Sequence, residues 1–404
     1  MATTTFKYTV RDKNGKATSG RLEGESREAV AARLRQMNYI ILDLNEDRFA
    51  QLNKIQFGSS VKLKDVTIFA RQFATMINAG LSLTKCLSIL ASQSESKELR
   101  EVIAQLGRDV EAGQSLSEAM ARHPKVFPPI FINMVRAGET GGVLDEVLLR
   151  VADHFEQEMA LKARIKSAMT YPITMGVLVM LVLVAMMTFV VPTFQQMFAD
   201  MGGELPLPTQ ILVAVSEGVR GWPGLVTVLA IVAAAVTFRR WKVTVNGKYT
   251  WDATKLRMPV IGGLVRKIAL ARFTRTFGTL VSAGVPILSA LDIVADTSGN
   301  EVVARAVKNV RAAIKEGETI AKPLSEAPVF PSMAVQMIAV GEETGALDAM
   351  LNKIAEFYEE EVATAVDGLT SLIEPLMMAS LGLVVGGIIV ALYMPMFQVI
   401  TLVK

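Results

Sequence analysis

The sequence carries one series of motifs twice, in the same order. The paired segments are residues 71–80 with 275–284, 113–116 with 317–320, 126–128 with 329–331, 138–145 with 341–348, and 192–195 with 395–398. The offset is 204 residues for the early pairs and 203 for the later ones, so a single deletion separates the two copies. Chance does not produce such an order, and we predict that the chain folds into two copies of one structural unit.

The apolar residues of each copy follow the period of an α-helix. Before Gly80, one face of a predicted helix collects Val66, Phe69, Ala70, Phe73, Met76 and Ile77. Further helices are predicted at residues 97–112, 115–122, 128–137 and 143–166, and neither copy has a convincing strand pattern. We therefore predict that each copy contains a six-helix bundle.

Three apolar segments are long enough to cross a membrane. No charged residue occurs at positions 167–199, 221–238 or 375–403, and the mean hydropathy of the chain, +0.37, is high for a soluble protein. Even the shortest segment spans about 27 Å as a helix, close to the thickness of the hydrocarbon core. We predict three transmembrane helices; for the middle segment, a buried helix of a soluble protein is the alternative.

The basic residues orient these helices in the membrane. Three basic residues precede the first apolar segment and three follow the second, whereas the connector at residues 200–220 has only one. Because basic loops stay on the cytoplasmic side, both repeats and the N-terminus are predicted to be cytoplasmic and the C-terminus extracytoplasmic. The middle helix then returns the chain across the membrane, and residues 211–219 are expected to lie along the outer membrane surface.

The first 56 residues differ in pattern from the rest. Phe6, Tyr8 and Val10 alternate as in a strand, residues 12–15 are typical of a turn, and a second strand leads to Gly24. A helix is predicted to begin at Ser26, followed by a strand at residues 39–44, and residues 51–60 are predicted to be a linker. This pattern indicates a small α+β appendage.

The predicted fold class is an all-α membrane protein with this appendage at its N-terminus. The predicted order is the appendage with its linker at 1–56, the first cytoplasmic repeat at 57–170, transmembrane helix 1 at 171–196, an extracytoplasmic connector at 197–220, transmembrane helix 2 at 221–238, a cytoplasmic linker at 239–265, the second cytoplasmic repeat at 266–373 and transmembrane helix 3 at 374–404.

The motif GETGGVLD at residues 138–145 and its counterpart GEETGALD at 341–348 are predicted to be turns between helices. In this interpretation Gly138 and Gly341 adopt the left-handed conformation that ends a helix. Thr140 and Thr344 would cap the following helix, whose positive end favours an acid one turn later, here Asp145 and Asp348. The motif glycines taken as structural are Gly138, Gly141, Gly341 and Gly345.

Acidic residues in and near this motif are candidates for contact with a partner. Glu139, Glu342 and Glu343 would be exposed acids at the turns; a purely architectural turn is the alternative. Near the third apolar segment, Glu374 precedes Pro375 and is either an interfacial carboxylate or a contact to another transmembrane helix. The corresponding pair before the first apolar segment is Tyr171 and Pro172, and this tyrosine suits the membrane interface.

The sequence lacks the usual signatures of catalysis and of nucleic-acid binding. There is no phosphate-binding Gly-x-x-x-x-Gly-Lys-Ser/Thr loop, Cys86 is the only cysteine, and the two histidines lie far apart. The net charge of +3 is small and the basic residues are dispersed. We predict that the chain is not an enzyme and binds no cofactor, metal ion or nucleic acid.

The appendage, the duplicated helical units, the Tyr-Pro and Glu-Pro pairs, the paired glycine motifs and the three apolar segments together resemble the GspF/PilC family. These are inner-membrane platform proteins of type II secretion and type IV pilus assembly machines, and the resemblance covers essentially all 404 residues. The first turn, GETGG, is displaced by one residue from the second, GEETG, so the resemblance itself assigns no role to Thr140.

The resemblance implies a platform that couples a hexameric cytoplasmic assembly or secretion ATPase to the insertion of pilin or pseudopilin subunits into a filament. It further implies contact with other inner-membrane assembly proteins and membrane lipid, and a homo-oligomeric state. The alternative function is an oligomeric transporter or channel built from repeats. The uncharged apolar segments and the small membrane portion argue against that alternative.

Overall fold

The structure is a computed structural model that describes residues 4–11, 17–24, 27–36, 39–46, 61–200, 207–259 and 261–402. The chain divides into two compact units, residues 1–62 and residues 63–404. Each unit has its own hydrophobic core.

The described part of the N-terminal unit is a three-stranded antiparallel sheet with one helix. The strands β1 (Thr4–Arg11), β2 (Ala17–Gly24) and β3 (Ile40–Glu46) lie in the order β2-β1-β3, and helix α1 spans Arg27–Gln36. The buried core consists of Phe6, Val10, Val30 and Leu34. The predicted α+β appendage is therefore confirmed. Its predicted turn at 12–15, the start of its helix at Ser26 and the linker at 51–60 lie outside the described residues.

Six helices form the first repeat. They are α2 (Leu63–Asn78), α3 (Leu83–Gln93), α4 (Lys97–Glu111), α5 (Leu116–Ala121), α6 (Pro129–Gly141) and the beginning of α7 (Leu144–Ala185). Gly80 ends α2 with a φ of 82°, as its position in the sequence predicts. The core is centred on packed aromatic rings: the ring of Phe69 is stacked on that of Phe73 at 5.4 Å and tilted against that of Phe127 at 5.7 Å.

Four further helices are described between the repeats, with residues 201–206 outside the described part of the chain. After a π-helical turn at Met186–Val190 come α8 (Val191–Asp200), α9 (Leu207–Arg220), α10 (Trp222–Trp241) and α11 (Val245–Arg257). The linker predicted at 239–265 therefore contains a helix, α11, that sequence reasoning missed.

The second repeat reproduces the first. Its helices are α12 (Ile261–Ser282), α13 (Ile287–Thr297), α14 (Glu301–Lys315), α15 (Ala321–Ser325), α16 (Ser332–Thr344) and the beginning of α17 (Leu347–Leu402). Gly284, 204 residues after Gly80, also has a left-handed φ, of 76°. Phe273, Phe277 and Phe330 occupy the core positions of the aromatic rings in the first repeat. The duplicated helical unit is confirmed.

Among the described residues, two helices are long and apolar enough to cross a membrane. One runs through α7 to Met197 and the other is α17 up to Ala391, and the most apolar windows of the two are 0% and 6% buried. A buried core helix of a soluble protein would be covered, so this exposure favours membrane spans. The third predicted span forms a helix, α10, but is not among these two.

Helix α9 supplies a hydrogen-bond donor that a proline removes from the first long helix. Pro192 has no N–H group, so within the π-helical turn the carbonyl five residues earlier, that of Met187, has no backbone donor. The hydroxyl of Ser216 on α9 donates to this carbonyl at 2.5 Å. A backbone acceptor in apolar surroundings is thereby satisfied.

Helix α9 makes a similar hydrogen bond to the second long helix, α17. Pro395, the counterpart of Pro192, leaves the carbonyl of Ala391 without its usual donor four residues later. The hydroxyl of Thr209, seven residues before Ser216 and thus on the same face of α9, donates to that carbonyl. The segment expected to lie along the membrane surface packs against both long helices, and its position relative to the membrane stays a prediction.

Candidate functional site

The paired glycine motif lies where α6 meets α7 and where α16 meets α17. Contrary to the prediction, the first helix of each pair runs on through the Gly-Glu-Thr part of the motif. The residue with left-handed backbone is Gly142 in one repeat and Gly345 in the other, with φ of 70° and 71°. With an offset of 203 these two glycines are equivalent, so the motifs are in register and Thr140 aligns with Glu343 rather than with Thr344.

Gly138 and Gly341 have a different role from the one predicted. Both are helical and buried. A Cβ on Gly138 would lie 3.0 Å from the Cβ of Val147, and one on Gly341 would lie 3.0 Å from the Cα of Leu347. These glycines are therefore required for the close approach of two helices, not for a left-handed turn.

The threonines of the motif do not cap the next helix. The hydroxyl of Thr140 donates to the carbonyl of Arg136, and that of Thr344 donates to the carbonyl of Val340. Each is a bond to the preceding turn of its own helix, as is common for threonine inside a helix. The predicted caps are wrong because the helices extend past these residues.

Glu139 caps a neighbouring helix. One carboxylate oxygen accepts the backbone N–H of Leu116 at 2.5 Å, and the other accepts that of Ser117 at 3.2 Å. Both N–H groups belong to the unpaired first turn of α5, which carries the positive end of the helix dipole. This half-buried acid joins α6 to α5.

Glu342 makes the same contact in the second repeat. Its two oxygens accept the N–H of Ile320 at 2.8 and 2.9 Å, and one of them accepts the N–H of Ala321 at 3.3 Å. The prediction that these two glutamates are exposed acids is therefore wrong. The glutamate of the repeated motif therefore binds the N-terminus of a short helix, α5 or α15, which lies 22 or 23 residues earlier in the chain.

Other predicted residues lie apart from this cluster. Glu343 is exposed within the second motif, and Glu374 is exposed about 40 Å beyond the start of α17. Tyr171 is half exposed, whereas Pro172 is buried inside α7, which continues through it. Pro375 is an exposed residue inside α17. The prediction for Asp145 and Asp348 is confirmed, because each lies in the first turn of its helix.

An ion pair recurs between the first and last helices of each bundle, and sequence reasoning missed it. Arg71 donates to Glu156 at 2.6 Å and also contacts Asp153. Its hydrogen bonds to these carboxylates raise the pKa of Arg71 above its ordinary value. At the equivalent positions, Arg275 donates to Glu359 at 2.8 Å. The sequence signal was available, since both members recur at the repeat offset.

The linker helix α11 is bound to the second repeat. The buried carboxylate of Asp252 accepts the N–H of Glu301 at 2.8 Å, at the start of α14. Lys248 pairs with the carboxylate of Glu301 at 3.0 Å, and this hydrogen bond lowers the pKa of that carboxyl. Arg305 lies over the ring of Tyr249, 4.1 Å from its centroid. The helices of the two repeats and α11 thus form a scaffold held by capping contacts and ion pairs.

Comparison with known proteins identifies the repeated unit. The family model described as type II secretion system protein F matches twice, at residues 69–192 and 273–395. These ranges reproduce the offsets of 204 and 203 and end at the two equivalent prolines. A second model, for the N-terminal domain of type II secretion system protein F, matches residues 1–45.

Curated relatives match along nearly the whole chain. The type IV pilus assembly protein PilC of Myxococcus xanthus is 44% identical over 98% of this chain and 95% of its own length. PilC of Thermus thermophilus is 42% identical, with 98% of each chain covered. The type II secretion system protein F of Xanthomonas campestris pv. campestris is 33% identical over 97% of this chain and 98% of its own. This chain therefore belongs to the family of type II secretion system protein F and type IV pilus assembly protein PilC.

Proposed function

We propose that this chain is the inner-membrane platform of a type IV pilus assembly machine, where it couples a cytoplasmic ATPase to the insertion of pilin subunits. The observation that carries the choice of machine is sequence identity over the full length. Identity is 44% and 42% to two pilus assembly proteins, but 33% and 31% to two secretion proteins. The relatives' names and the helical cytoplasmic scaffold both support a structural, non-catalytic role.

Three membrane crossings fit the chain best. Two long helices leave the two repeats, and α10, with its exposed apolar side chains Leu229, Ile231 and Val232, is the return between them. Both repeats and the N-terminus then lie in the cytoplasm, and the C-terminus lies outside. Reporter fusions test this: one near residue 205 should report an extracytoplasmic site and one near residue 300 a cytoplasmic site. The reverse result at either position would contradict the arrangement.

The energy for moving a subunit must come from a partner. Extracting an apolar helix of about twenty residues from the bilayer costs on the order of 10 kcal/mol on insertion scales, and the sequence has no phosphate-binding loop. A hexameric assembly ATPase acting on the cytoplasmic repeats would supply that work. Pilin subunits, other inner-membrane assembly proteins and lipid would meet the apolar helices.

The acidic residues fall into two groups in this proposal. The carboxylates of Glu139 and Glu342 are engaged by helix N-termini and hold the bundles together. Glu343 and Glu374 are exposed and remain candidates for contact with the ATPase or with membrane partners. An exposed acid can be reversed in charge without loss of fold, which makes Glu343 the better probe of the interface.

The test is co-purification of the full chain with the assembly ATPase of its own cell, together with counts of surface pili. We expect the ATPase to be recovered with the wild type, and Glu343→Lys to reduce both recovery and piliation. Glu326→Lys, an exposed acid in the same repeat, is the matched control. If deletion of the gene left piliation unchanged and abolished secretion of folded proteins, the pilus assignment would be wrong.

A further inference from the structure

A cavity of about 290 Å³ lies between the two repeats. Its lining includes residues of α6 and α7 from the first repeat and of α12 and α17 from the second. Nearby, Arg150 of α7 donates to the carbonyl of Ser282 at 2.6 Å and links the two repeats directly. The wall of the cavity has an apolar part, which includes Ile130 and Leu161, and a charged part. The cavity therefore exists only because the two repeats are in contact.

Most of the charged side chains at this cavity already have partners. Lys162 pairs with Glu158 at 2.6 Å, and Arg275 pairs with Glu359 at 2.8 Å. Both carboxylates in the lining are thus neutralised by a neighbouring cation. Arg272 is the third cation among the described lining residues, so three cations face two carboxylates. The cavity is left with one net positive charge, which Arg272 carries.

The guanidinium of Arg272 also has unused hydrogen-bonding capacity. Its Nε–H group is buried and meets no acceptor within the described part of the chain. Buried N–H groups normally have an acceptor, and an unpaired one disfavours the folded state. The unpaired donor thus belongs to the same cation that lacks a carboxylate partner among the described lining residues.

His154 lines the cavity from the other repeat. Its side chain is only 7% exposed, and its Nδ1 atom has no hydrogen-bond partner among the described residues. Burial lowers the pKa of His154 to about 4, so its ring is neutral at physiological pH. A neutral imidazole has one N–H group, which can donate to an anion. Arg272 and His154 therefore bring one unused polar group from each repeat to the same cavity.

Comparison of the repeats shows that the helical bundle does not need these two polar groups. The counterpart of Arg272 is Ile68 at the offset of 204, and the counterpart of His154 is Phe357 at the offset of 203. Both repeats form the same six helices, although each has an apolar residue where the other has an unpaired polar group. The polar groups occur only at the positions that face the cavity, which indicates a ligand there.

We propose that this cavity binds a phosphate group, which Arg272 and His154 hold between the two repeats. The planar guanidinium of arginine matches the geometry of a phosphate and donates to two of its oxygens at once. One net positive charge balances a phosphodiester, which carries one negative charge at neutral pH. The apolar part of the wall, at Ile130 and Leu161, would contact the carbon portion of the ligand.

Two sources of phosphate have this chemistry, a membrane phospholipid and a soluble phosphate. The membrane is close, because Leu161 lies six residues before the uncharged segment that begins at residue 167, about 9 Å along the axis of α7. A basic pocket beside the membrane suits the headgroup of an anionic phospholipid. The proposal does not depend on which machine the chain serves, since it uses only the contact between the repeats.

Calorimetric titration of the full chain in an uncharged detergent tests the site. The probes are inorganic phosphate and dihexanoyl phosphatidylglycerol, a soluble phospholipid, and the control is an uncharged glyceride with the same chains. Binding of the phospholipid alone would identify the membrane as the source, whereas binding of inorganic phosphate would show that the site takes soluble phosphate. The proposal would be wrong if neither probe bound, or if the uncharged glyceride bound equally well.

Substitutions show whether a probe binds in this cavity. Arg272→Gln should raise the dissociation constant about tenfold or more, because it removes the charge that pairs with the phosphate. His154→Phe introduces the residue of the second repeat and should raise it about threefold, as expected for one hydrogen bond from a neutral donor. Arg136→Gln changes an exposed arginine of α6 outside the cavity and should have no effect. Equal affinity of Arg272→Gln and the wild type would place the probe elsewhere and overturn the proposal.

Thermal unfolding gives a second measurement, in case Arg272→Gln folds poorly. A ligand that binds only the folded state raises the unfolding temperature. The probe that binds should therefore stabilise the wild type and Arg136→Gln, but not Arg272→Ile, which introduces the residue of the first repeat at this position. Circular dichroism should show the same helical content in all three. Equal stabilisation of all three proteins would contradict a phosphate site at Arg272.

Discussion

The two repeats share their internal contacts and differ at their surfaces. The aromatic core, the left-handed glycines, the glutamate cap and the Arg–Glu pair occur in both, at the repeat offsets of 204 and 203 residues. The stripe at Ile68 and Gln72, in contrast, faces solvent in the first repeat, whereas its counterparts in the second are half-buried (Arg272) and buried (Thr276). The contacts inside each bundle are therefore the same in both repeats, because they stabilise the same fold. The residues on the outer faces differ, because the two repeats have different neighbours.

The two long helices also differ from each other at their equivalent prolines, Pro192 and Pro395. The first passes through a π-helical turn at Met186–Val190 before Pro192, whereas α17 stays α-helical past Pro395. A single helix, α9, donates a hydroxyl to each. Each long helix lacks one backbone N–H group because of its proline. The first helix accommodates the proline with a π-helical turn and the second does so within an α-helix, and in both cases α9 supplies the missing donor.

The largest effect is expected at the buried glycines. Gly138→Val and Gly341→Val should each destabilise the repeat that carries them by about 3 kcal/mol, because the added carbons overlap atoms of the facing helix. Thermal unfolding of the full chain in detergent, with limited proteolysis to show which repeat opens, measures this. If only one of the two variants were destabilised, the internal equivalence of the repeats would fail at this position.

A helical glycine in open space is the control. Gly368 lies in α17 with no atom within 4 Å of the position of an added Cβ. Gly368→Ala should be neutral or slightly stabilising, because alanine favours the helix by about 1 kcal/mol over glycine. Loss of stability there would show that any change of glycine in these helices is harmful.

The next effect concerns the two capping glutamates. Glu139→Ala and Glu342→Ala should each cost about 2 kcal/mol, because each leaves N–H groups of a helix start without a charged acceptor in partly buried surroundings. Glu343→Ala, the exposed neighbour, should cost less than about 0.5 kcal/mol. The measurement is again unfolding of the full chain. Equal, negligible costs for all three would return Glu139 and Glu342 to the role of exposed partner contacts.

Much of the fold could be predicted from the sequence, because duplication shows which residues matter together. The repeat, the helical bundles and the appendage follow from periodicity and offset. The site was predicted less well. Gly138 was assigned to a turn, since glycine ends helices more often than it allows two helices to touch. The partner of Glu139 lies 23 residues away on another helix, and such a contact depends on tertiary packing that local pattern does not encode.

A smaller effect should appear at the proline sites. Ser216→Ala should cost about 1 kcal/mol, because it leaves the carbonyl of Met187 without a donor. Pro192→Ala restores an N–H group to the helix, so the double variant should cost less than the sum of the two single ones. The measurement is a double-mutant cycle on unfolding in detergent. Strict additivity would show that Ser216 does not compensate for the proline.

The smallest effect should separate the two copies of the ion pair. The side chain of Arg71 is 35% exposed and that of Arg275 is 13% exposed. An exposed pair contributes about 0–1 kcal/mol because water screens it, whereas removing one member of a more buried pair leaves a charge poorly compensated. Arg71→Ala should therefore cost less than about 1 kcal/mol and Arg275→Ala roughly 1 kcal/mol more, and high salt should reduce the first cost more than the second.

Arg275 also lines the cavity between the repeats, so its loss should loosen their contact as well. Unfolding of both variants at low and high salt provides the comparison. If the two costs and their salt dependence were the same, the position of the second repeat beside the first would add nothing to this pair, and the repeats would differ only on their outer faces.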